Sequence, residues 1–404
     1  MSIDLDALYI DLHRNPELSF QETRTAGVIA RTLTELGVEH ETGVGRTGVV
    51  GVIRNGDGPV VWLRADMDAL PVLEQTGLEY ASTAHGIDPA GADVPVMHAC
   101  GHDMHVTSML GAVERLAATT SEWSGTVVFV FQPAEEHGAG SRAMLDDGVL
   151  DRFPRPDVVL GQHVTPLPAG IVGVRPGTQM AASDGLTVTL HGRGGHGSRP
   201  HATIDPVVMA AATVMRLQTI VSREVDPQGV AVVTVGSIHA GLKNNIIPAE
   251  AKLELSLRYP NEDVRQDVLK RVERIVNAES DASGAPQPPT IVTDHTLPAT
   301  INDEDATART VAAFRRAFGD AAVVDPGMFT GSEDVSWFAR DAGAPLVFWF
   351  WGGIDPEQFA RAQAAGTIES DIPTNHSPFF APLLQPTLRN GIENLVVAAR
   401  EWLD

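Results

Sequence analysis

Four short segments of the chain concentrate the residue types that bind divalent cations and move protons. They are Arg64-Ala65-Asp66-Met67-Asp68, His98-Ala99-Cys100-Gly101-His102-Asp103-Met104-His105, Gln132-Pro133-Ala134-Glu135-Glu136 and Gly161-Gln162-His163. Thiolate, imidazole and carboxylate together suit a borderline divalent metal. Cys100 and His102 lie two apart and can chelate from one loop. Glu135 and Glu136 are adjacent, so they leave a strand end toward different sides; one can bind metal while the other reaches a water. That is the requirement of metal-assisted hydrolysis, in which a Lewis acid lowers the pKa of water and a free carboxylate takes its proton. Each feature alone has an ordinary structural explanation: a lone cysteine packs as a small hydrophobe, and paired glutamates sit on surfaces. Only their joint placement points to a site.

Three of these segments follow short apolar runs that read as strands: Val60 to Leu63, Gly125 to Phe131 (GTVVFVF) and Val158 to Leu160. The fourth precedes a helix-like stretch, Val106 to Ala118, with Leu110, Val113 and Leu116 on one face. Strands that are apolar on both faces and alternate with helices predict a parallel α/β sheet. In such sheets ligands bind beyond the carboxyl ends of the strands, so the four segments are expected to converge on one crevice.

The middle of the chain reads differently. Leu186 to Leu190, Val230 to Ile238, Ala251 to Arg258 and Thr290 to Thr293 read as strands, with Pro206 to Val221 and Asp263 to Ala278 as helices. The order β-α-β-β-α-β predicts a small self-contained domain. After about Leu297 the α/β character returns, with a helix over Asp305 to Phe318, a strand over Leu346 to Trp351 and a closing helix over Pro386 to Leu403. The expected architecture is an α/β, mostly parallel-sheet catalytic domain in two parts, residues 1–182 and 296–404, interrupted by an inserted βαββαβ (ferredoxin-like) domain over 183–295.

Composition limits the classes of partner. The chain has 404 residues, 43% hydrophobic and 20% charged, which fits an ordinary globular protein of two or three domains. Lys plus Arg number 29 against 52 Asp plus Glu, a net charge of −23. Such a surface repels nucleic acid and anionic membranes. No apolar run approaches the roughly 18 residues of a membrane span, and Met1 to Asp11 carries three acidic residues without the cationic start of a secretory signal. With one cysteine no intrachain disulfide can form, and the cytoplasm is the expected compartment.

The motifs resemble the M20 family of metallopeptidases and amidohydrolases, in the branch of hippurate hydrolase, aminoacylase-like enzymes and plant auxin–amino acid hydrolases. Besides the four segments, the resemblance rests on Leu12-His13-Arg14-Asn15-Pro16-Glu17-Leu18 with Glu22, Gly195-His196-Gly197-Ser198-Arg199-Pro200-His201, Asn245-Ile246-Ile247-Pro248, Gly331-Ser332-Glu333-Asp334 and Asn375-His376-Ser377-Pro378. The resemblance implies a dinuclear site for Mn(2+) or Zn(2+), with Cys100, His102, Glu136, His163 and His376 at the ligand positions. It puts Glu135 at the general acid/base and Asp68 at a carboxylate that orients a ligand or the water. Asp66 is expected outside the ligand set. Asp103 and His105 are expected to be structural, with Asp103 able to hydrogen-bond a ligand histidine; His98 and His137 receive no role. The inserted domain resembles the family's lid and dimerisation domain. His196 is implied to reach the partner subunit's site in a homodimer, and Asn245 and Arg258 to hold the substrate's carboxylate. The implied reaction is hydrolysis of an N-acyl or N-aroyl amino acid. Dipeptidase or carboxypeptidase activity on the same scaffold is the alternative, and a catalytically silent homologue that binds amino-acid conjugates is a third.

Overall fold

The computed structural model describes residues 3–403, which form two compact units. The larger comprises the chain up to Gln179, Ile301–Gly327 and the chain from Asp334 onward. The smaller comprises Met180–Thr300 together with Met328–Glu333.

The larger unit is built on an eight-stranded sheet. Its strands are β1 (Glu39–Val44), β2 (Gly48–Asn55), β3 (Val60–Asp66), β4 (Gly125–Gln132), β5 (Val158–Pro168), β6 (Val172–Gly173), β7 (Val323–Val324) and β8 (Leu346–Ile354). They lie in the order β1-β2-β4-β3-β5-β8-β6-β7. The central four, β4-β3-β5-β8, are parallel, while β1, β2 and β6 join antiparallel. β-branched and aromatic side chains fill both faces of the central strands, and every residue of β8 is buried. The helices His102–Ala118 and Leu384–Leu403 pack on each other and on this sheet.

Two boundaries differ from the sequence reading. β5 runs eight residues past Leu160, so His163 lies inside a strand and not after one. Gln162 looks like a strand-ending polar residue, yet its amide is satisfied in the interior, donating to the Gly391 carbonyl at 2.9 Å and accepting from Trp349 Nε1 at 3.1 Å. The helix expected over Val106 to Ala118 begins at His102, four residues before the expected start. Gly101 makes this entry possible. It takes φ +83°, and a Cβ there would stand 2.5 Å from Val164 Cγ1.

The smaller unit is a four-stranded antiparallel sheet in the order 232–240, 250–259, 182–191, 290–297, and two helices, Pro206–Thr219 and Glu262–Ala282, share its core. Strand Glu250–Tyr259 alternates strictly: Ala251, Leu253, Leu255, Leu257 and Tyr259 are buried, and Glu250 to Arg258 point the other way. The unit's edges fall at Met180 and Thr300, wider than the 183–295 read from sequence. It also recruits Met328–Glu333, because the Ala181 amide donates to the carbonyls of Phe329 and Gly331, both at 3.0 Å.

One buried cation ties the carboxyl edge of the main sheet together. Arg64, on β3, is fully buried. It donates to Gln132 Oε1 at 2.8 Å, Asp66 Oδ2 at 2.7 Å and Asp334 Oδ1 at 3.1 Å. Asp334 also accepts from Gln132 Nε2 at 2.7 Å and from the Ser141 amide at 3.0 Å. Arg64→Met would keep the stem's packing and leave two buried carboxylates without their cation. The expected loss of stability is about 3–5 kcal/mol by chemical denaturation; a variant as stable as the parent would contradict this role.

Candidate metal centre

The carboxyl ends of β3 and β4, the middle of β5, the start of the 102–118 helix and the loop at 375–376 deliver their side chains to one place. Cys100 Sγ, His102 and Glu136 each offer a ligand atom within 4.8 Å of the others. Cys100 Sγ lies 3.4 Å from His163 Nε2, and His376 Nε2 lies 3.3 Å from Glu136 Oε2. All five residues expected as ligands therefore meet in the larger unit. Two of their atoms, His102 Nε2 and Glu136 Oε1, are buried with no hydrogen-bond partner among the described residues, and they face each other at 3.8 Å. Buried polar atoms rarely stay unpaired. A soft sulfur, imidazole nitrogens and a carboxylate with two orphaned atoms among them fit a divalent metal ion.

Asp68 organises the surroundings. Its Oδ1 lies 3.2 Å from His102 Nδ1 and accepts the Glu135 amide at 3.1 Å. Its Oδ2 accepts the Glu136 amide at 3.1 Å and the Ser19 hydroxyl at 2.6 Å. One carboxylate thus fixes the ring of a candidate ligand and the backbone of both glutamates. His163 Nδ1 lies 2.8 Å from the Val164 carbonyl, a contact that leaves Nε2 toward the centre. Asn375 Nδ2 donates to the carbonyls of Cys100 and Val164 at 3.2 and 3.1 Å, and the His376 amide donates to the Ala99 carbonyl at 2.8 Å. These bonds stitch the distant 375–376 segment onto the cysteine loop.

Some neighbours were not legible from residue types. Asp66 Oδ1 is bonded to His105 Nδ1, and Asp66 Oδ2 lies 3.5 Å from His102 Nε2. His105 Nε2 in turn accepts the Val164 amide at 3.0 Å. Asp66, His102, His105 and His163 form a second group whose atoms lie within 4.8 Å of each other. Asp103 is structural, as expected, but its partner is His13 and not a ligand histidine. Its Oδ2 lies 2.6 Å from His13 Nδ1, whose Nε2 meets Glu74 Oε1 at 3.1 Å. Burial pulls the His13 imidazolium down, but Asp103 and Glu74 outweigh it and raise the pKa to about 9.

The electrostatics favour a cation. Burial disfavours charge on His102, yet Asp66, Asp68 and Glu136 outweigh it and lift the imidazole to about 10. Burial and the carboxylates of Glu136 and Glu135 push the Cys100 thiol up. Burial and the neighbouring His105 hold His163 well below its usual value, which keeps it neutral. Positive charge placed among these groups relieves the carboxylates and favours the thiolate.

His196, Asn245 and Arg258 belong to the smaller unit. Gly195-His196 pairs with Ile246-Ile247, and the Gly197 amide donates to the Asn245 carbonyl at 2.8 Å, so His196 and Asn245 are neighbours. Both are exposed, and His196 Nδ1 lies 2.7 Å from Ser198 Oγ. Arg258 is half-buried, donating to Ser256 Oγ at 3.1 Å and the Leu257 carbonyl at 2.9 Å. It lies at the far end of the 250–259 strand from Ile247, about 25 Å away by strand rise. One chain therefore does not bring Arg258 to His196 and Asn245.

The family model described as Peptidase family M20/M25/M40 matches residues 62–374. The chain belongs to peptidase family M20. Among its relatives, Thermostable carboxypeptidase 2 of Saccharolobus solfataricus is 38% identical over 346 residues, 84% of each chain. N-acetylcysteine deacetylase of Bacillus subtilis is 36% identical over 377 residues, 92% of this chain and 94% of the relative. Among solved structures, a dinuclear metal-binding peptidase of the M20 family from Bacillus subtilis superposes with a TM-score of 0.79 at 30% identity, covering 99% of this chain and 97% of that one. As an M20 protein the chain is a metal-binding hydrolase of amide bonds. Its fold is the family's mixed α/β architecture with a mostly parallel central sheet.

For this M20 centre a thiolate ligand makes a direct test. A coordinated Cys100 should resist alkylation while metal is bound and react after chelation. Equal labelling in both states would remove Cys100 from the ligand set.

Proposed function

We propose that the protein is a metal-dependent amidohydrolase that cleaves an N-acyl or N-aroyl amino acid to a carboxylic acid and a free amino acid. The observation that carries this reading is the placement of two glutamates by one carboxylate: Asp68 accepts the amides of Glu135 and Glu136, and Glu136 meets Cys100 and His102. The relative named N-acetylcysteine deacetylase supports an acyl amino acid as substrate. The relative named carboxypeptidase supports the alternative, a dipeptidase or carboxypeptidase on the same scaffold. A silent homologue would be expected to lack a ligand or the base, and every such position is occupied here.

In this reading Cys100, His102, Glu136, His163 and His376 hold two divalent ions, Mn(2+) or Zn(2+). When bound, such ions supply Lewis acidity to the scissile carbonyl and to water. Glu135 takes a proton from the attacking water and delivers it to the leaving nitrogen. Asp68 holds His102 and the 135–136 backbone in register. The planar fork of Arg258 and, entering from the other subunit beside His196, Asn245 take the substrate carboxylate. The protein works as a homodimer through the inserted domain, which serves as the lid, and His196 donates to the developing oxyanion in the partner subunit's site. The separation of His196 from Arg258 within one chain supports this: both can serve one small substrate when they come from different subunits. The proposed compartment is the cytoplasm, and no helix among the described residues is long and apolar enough to cross a membrane. No nucleic-acid partner is proposed.

A hydrolysis screen over acyl amino acids and dipeptides, with metals added back to chelated protein, tests the reading; turnover of dipeptides alone would select the alternative. Glu135→Gln should keep its metals and lose about 10²- to 10⁴-fold in kcat, whereas Glu136→Gln should lose metal. Near-normal kcat in the first variant, or full occupancy in the second, would overturn these roles. Mixing His196→Ala with Glu135→Gln subunits should restore activity, to about half the parental level per mixed dimer, because one of two equivalent sites is then complete. If subunits exchange and no activity returns, His196 does not act across the dimer.

A further inference from the structure

Backbone strain in this chain is concentrated at one place. Among the described residues four non-glycine positions have positive φ: Phe20 at 61°, Arg46 at 85°, Ala134 at 47° and His376 at 70°. L-residues occupy this region only where their surroundings over-determine it, and such residues cluster at functional sites. His376 is a proposed ligand, and Ala134 immediately precedes Glu135. Phe20 and Arg46 are far away in sequence, yet they converge on the same loop.

Glu22 is what joins them. Its side chain is completely buried. Oε1 accepts the Ala134 amide at 2.8 Å, and Oε2 accepts the Thr47 hydroxyl at 2.5 Å. Thr47 follows Arg46, whose guanidinium lies 4.2 Å from the centre of the Phe20 ring. Phe20 follows Ser19, whose hydroxyl donates to Asp68. Glu22 therefore holds the turn at Ala134 and is itself braced by Thr47, while Asp68, braced by Ser19, holds the next two amides. Three consecutive backbone amides, 134 to 136, are held by two buried carboxylates.

We propose that Glu22 is a positioning residue for the acid/base glutamate: by capturing the Ala134 amide it holds the left-handed turn from which Glu135 is aimed. The inference rests on the assignment of Glu135 as the acid/base. Glu22 touches neither substrate nor metal in this account. Its effect is confined to the geometry of one turn and so to the chemical step.

The test uses the metal-loaded full chain, a substrate found by the hydrolysis screen, and three readouts: kcat, KM and metal content. Glu22→Ala should lower kcat by about 10- to 100-fold, with KM within about threefold and metal content at the parental level. Glu22→Gln keeps an acceptor for the Ala134 amide and should stay within about threefold of the parental kcat. Glycine adopts positive φ without a clamp, so Ala134→Gly placed in the Glu22→Ala background should recover several-fold of the lost kcat. A merely structural glutamate would not be rescued this way. Parental kcat in folded Glu22→Ala overturns the proposal, as does equal damage in the Ala and Gln variants with no rescue by glycine. If Glu22→Ala does not fold, Glu22→Asp decides, since it keeps the charge and draws the acceptor back from the Ala134 amide by one methylene; an unchanged kcat in that variant overturns the proposal. Glu135→Gln run in parallel separates the two claims: its retained turnover would remove the base itself, whereas an inactive Glu135→Gln beside an active Glu22→Ala removes only the clamp.

Discussion

The structure is organised around negative charge that has been taken out of water. Asp66, Asp68, Asp334 and Glu22 are all 1% exposed or less, and Glu135 is 8% exposed. Several of them stand at the carboxyl edge of one parallel sheet. Burying a carboxylate is expensive unless it is paired and hydrogen-bonded, and like charges in a low dielectric raise the cost further. Arg64 supplies one fixed cation below the site. Asp66, Asp68 and Glu136 also surround the buried His102 and favour positive charge there against its burial. A divalent metal ion held among them would add the positive charge that these carboxylates favour. The same charge balance that a metal-binding hydrolase needs for its chemistry is thus built into the stability of its central unit.

That constraint explains the division of labour among neighbours. Side chains that offer an atom to the centre are each held by a second contact: His102 by Asp68, His163 by the Val164 carbonyl, the His376 backbone by the Ala99 carbonyl. The holding groups are backbone atoms or short acidic side chains on strands and strand ends, which have little freedom to drift. Loops contribute only where they are pinned, as Asn375 pins its own segment through two carbonyls. The residues proposed to handle substrate lie in the other unit, His196 and Asn245 side by side and exposed, so the proposed substrate and metal residues belong to different compact units of the chain.

Much of this was legible in the sequence, for identifiable reasons. Glu135 and Glu136 follow an unmistakable apolar strand, and Cys100 and His102 stand just before an apolar helix, so their convergence follows from the topology of a parallel α/β sheet. The small unit's strands and helices were visible because its exposed sheet face imposes strict alternation, as in Glu250–Tyr259. The hidden parts depend on pairing across long separations. Nothing local marks His163 as a strand residue, because Gln162 finds its partners at Trp349 and Gly391. Asp103 directly follows the candidate ligand His102 in sequence and instead reaches back 90 positions to His13. Glu22 looks like a helix-start glutamate, and its partner at Ala134 is 112 residues away. His376 and the ligand set as a whole came from family resemblance and not from residue types.

In the proposed centre two divalent ions bind beside Cys100 with its sulfur as a ligand. X-ray absorption spectroscopy of the zinc-loaded protein, with metal quantified per chain, tests it most directly. Two zinc ions per chain are expected, with a sulfur scatterer at about 2.3 Å beside nitrogen and oxygen at about 2.0–2.2 Å, and no sulfur contribution in Cys100→Ser. A spectrum of nitrogen and oxygen alone, or a sulfur contribution that survives Cys100→Ser, would contradict it.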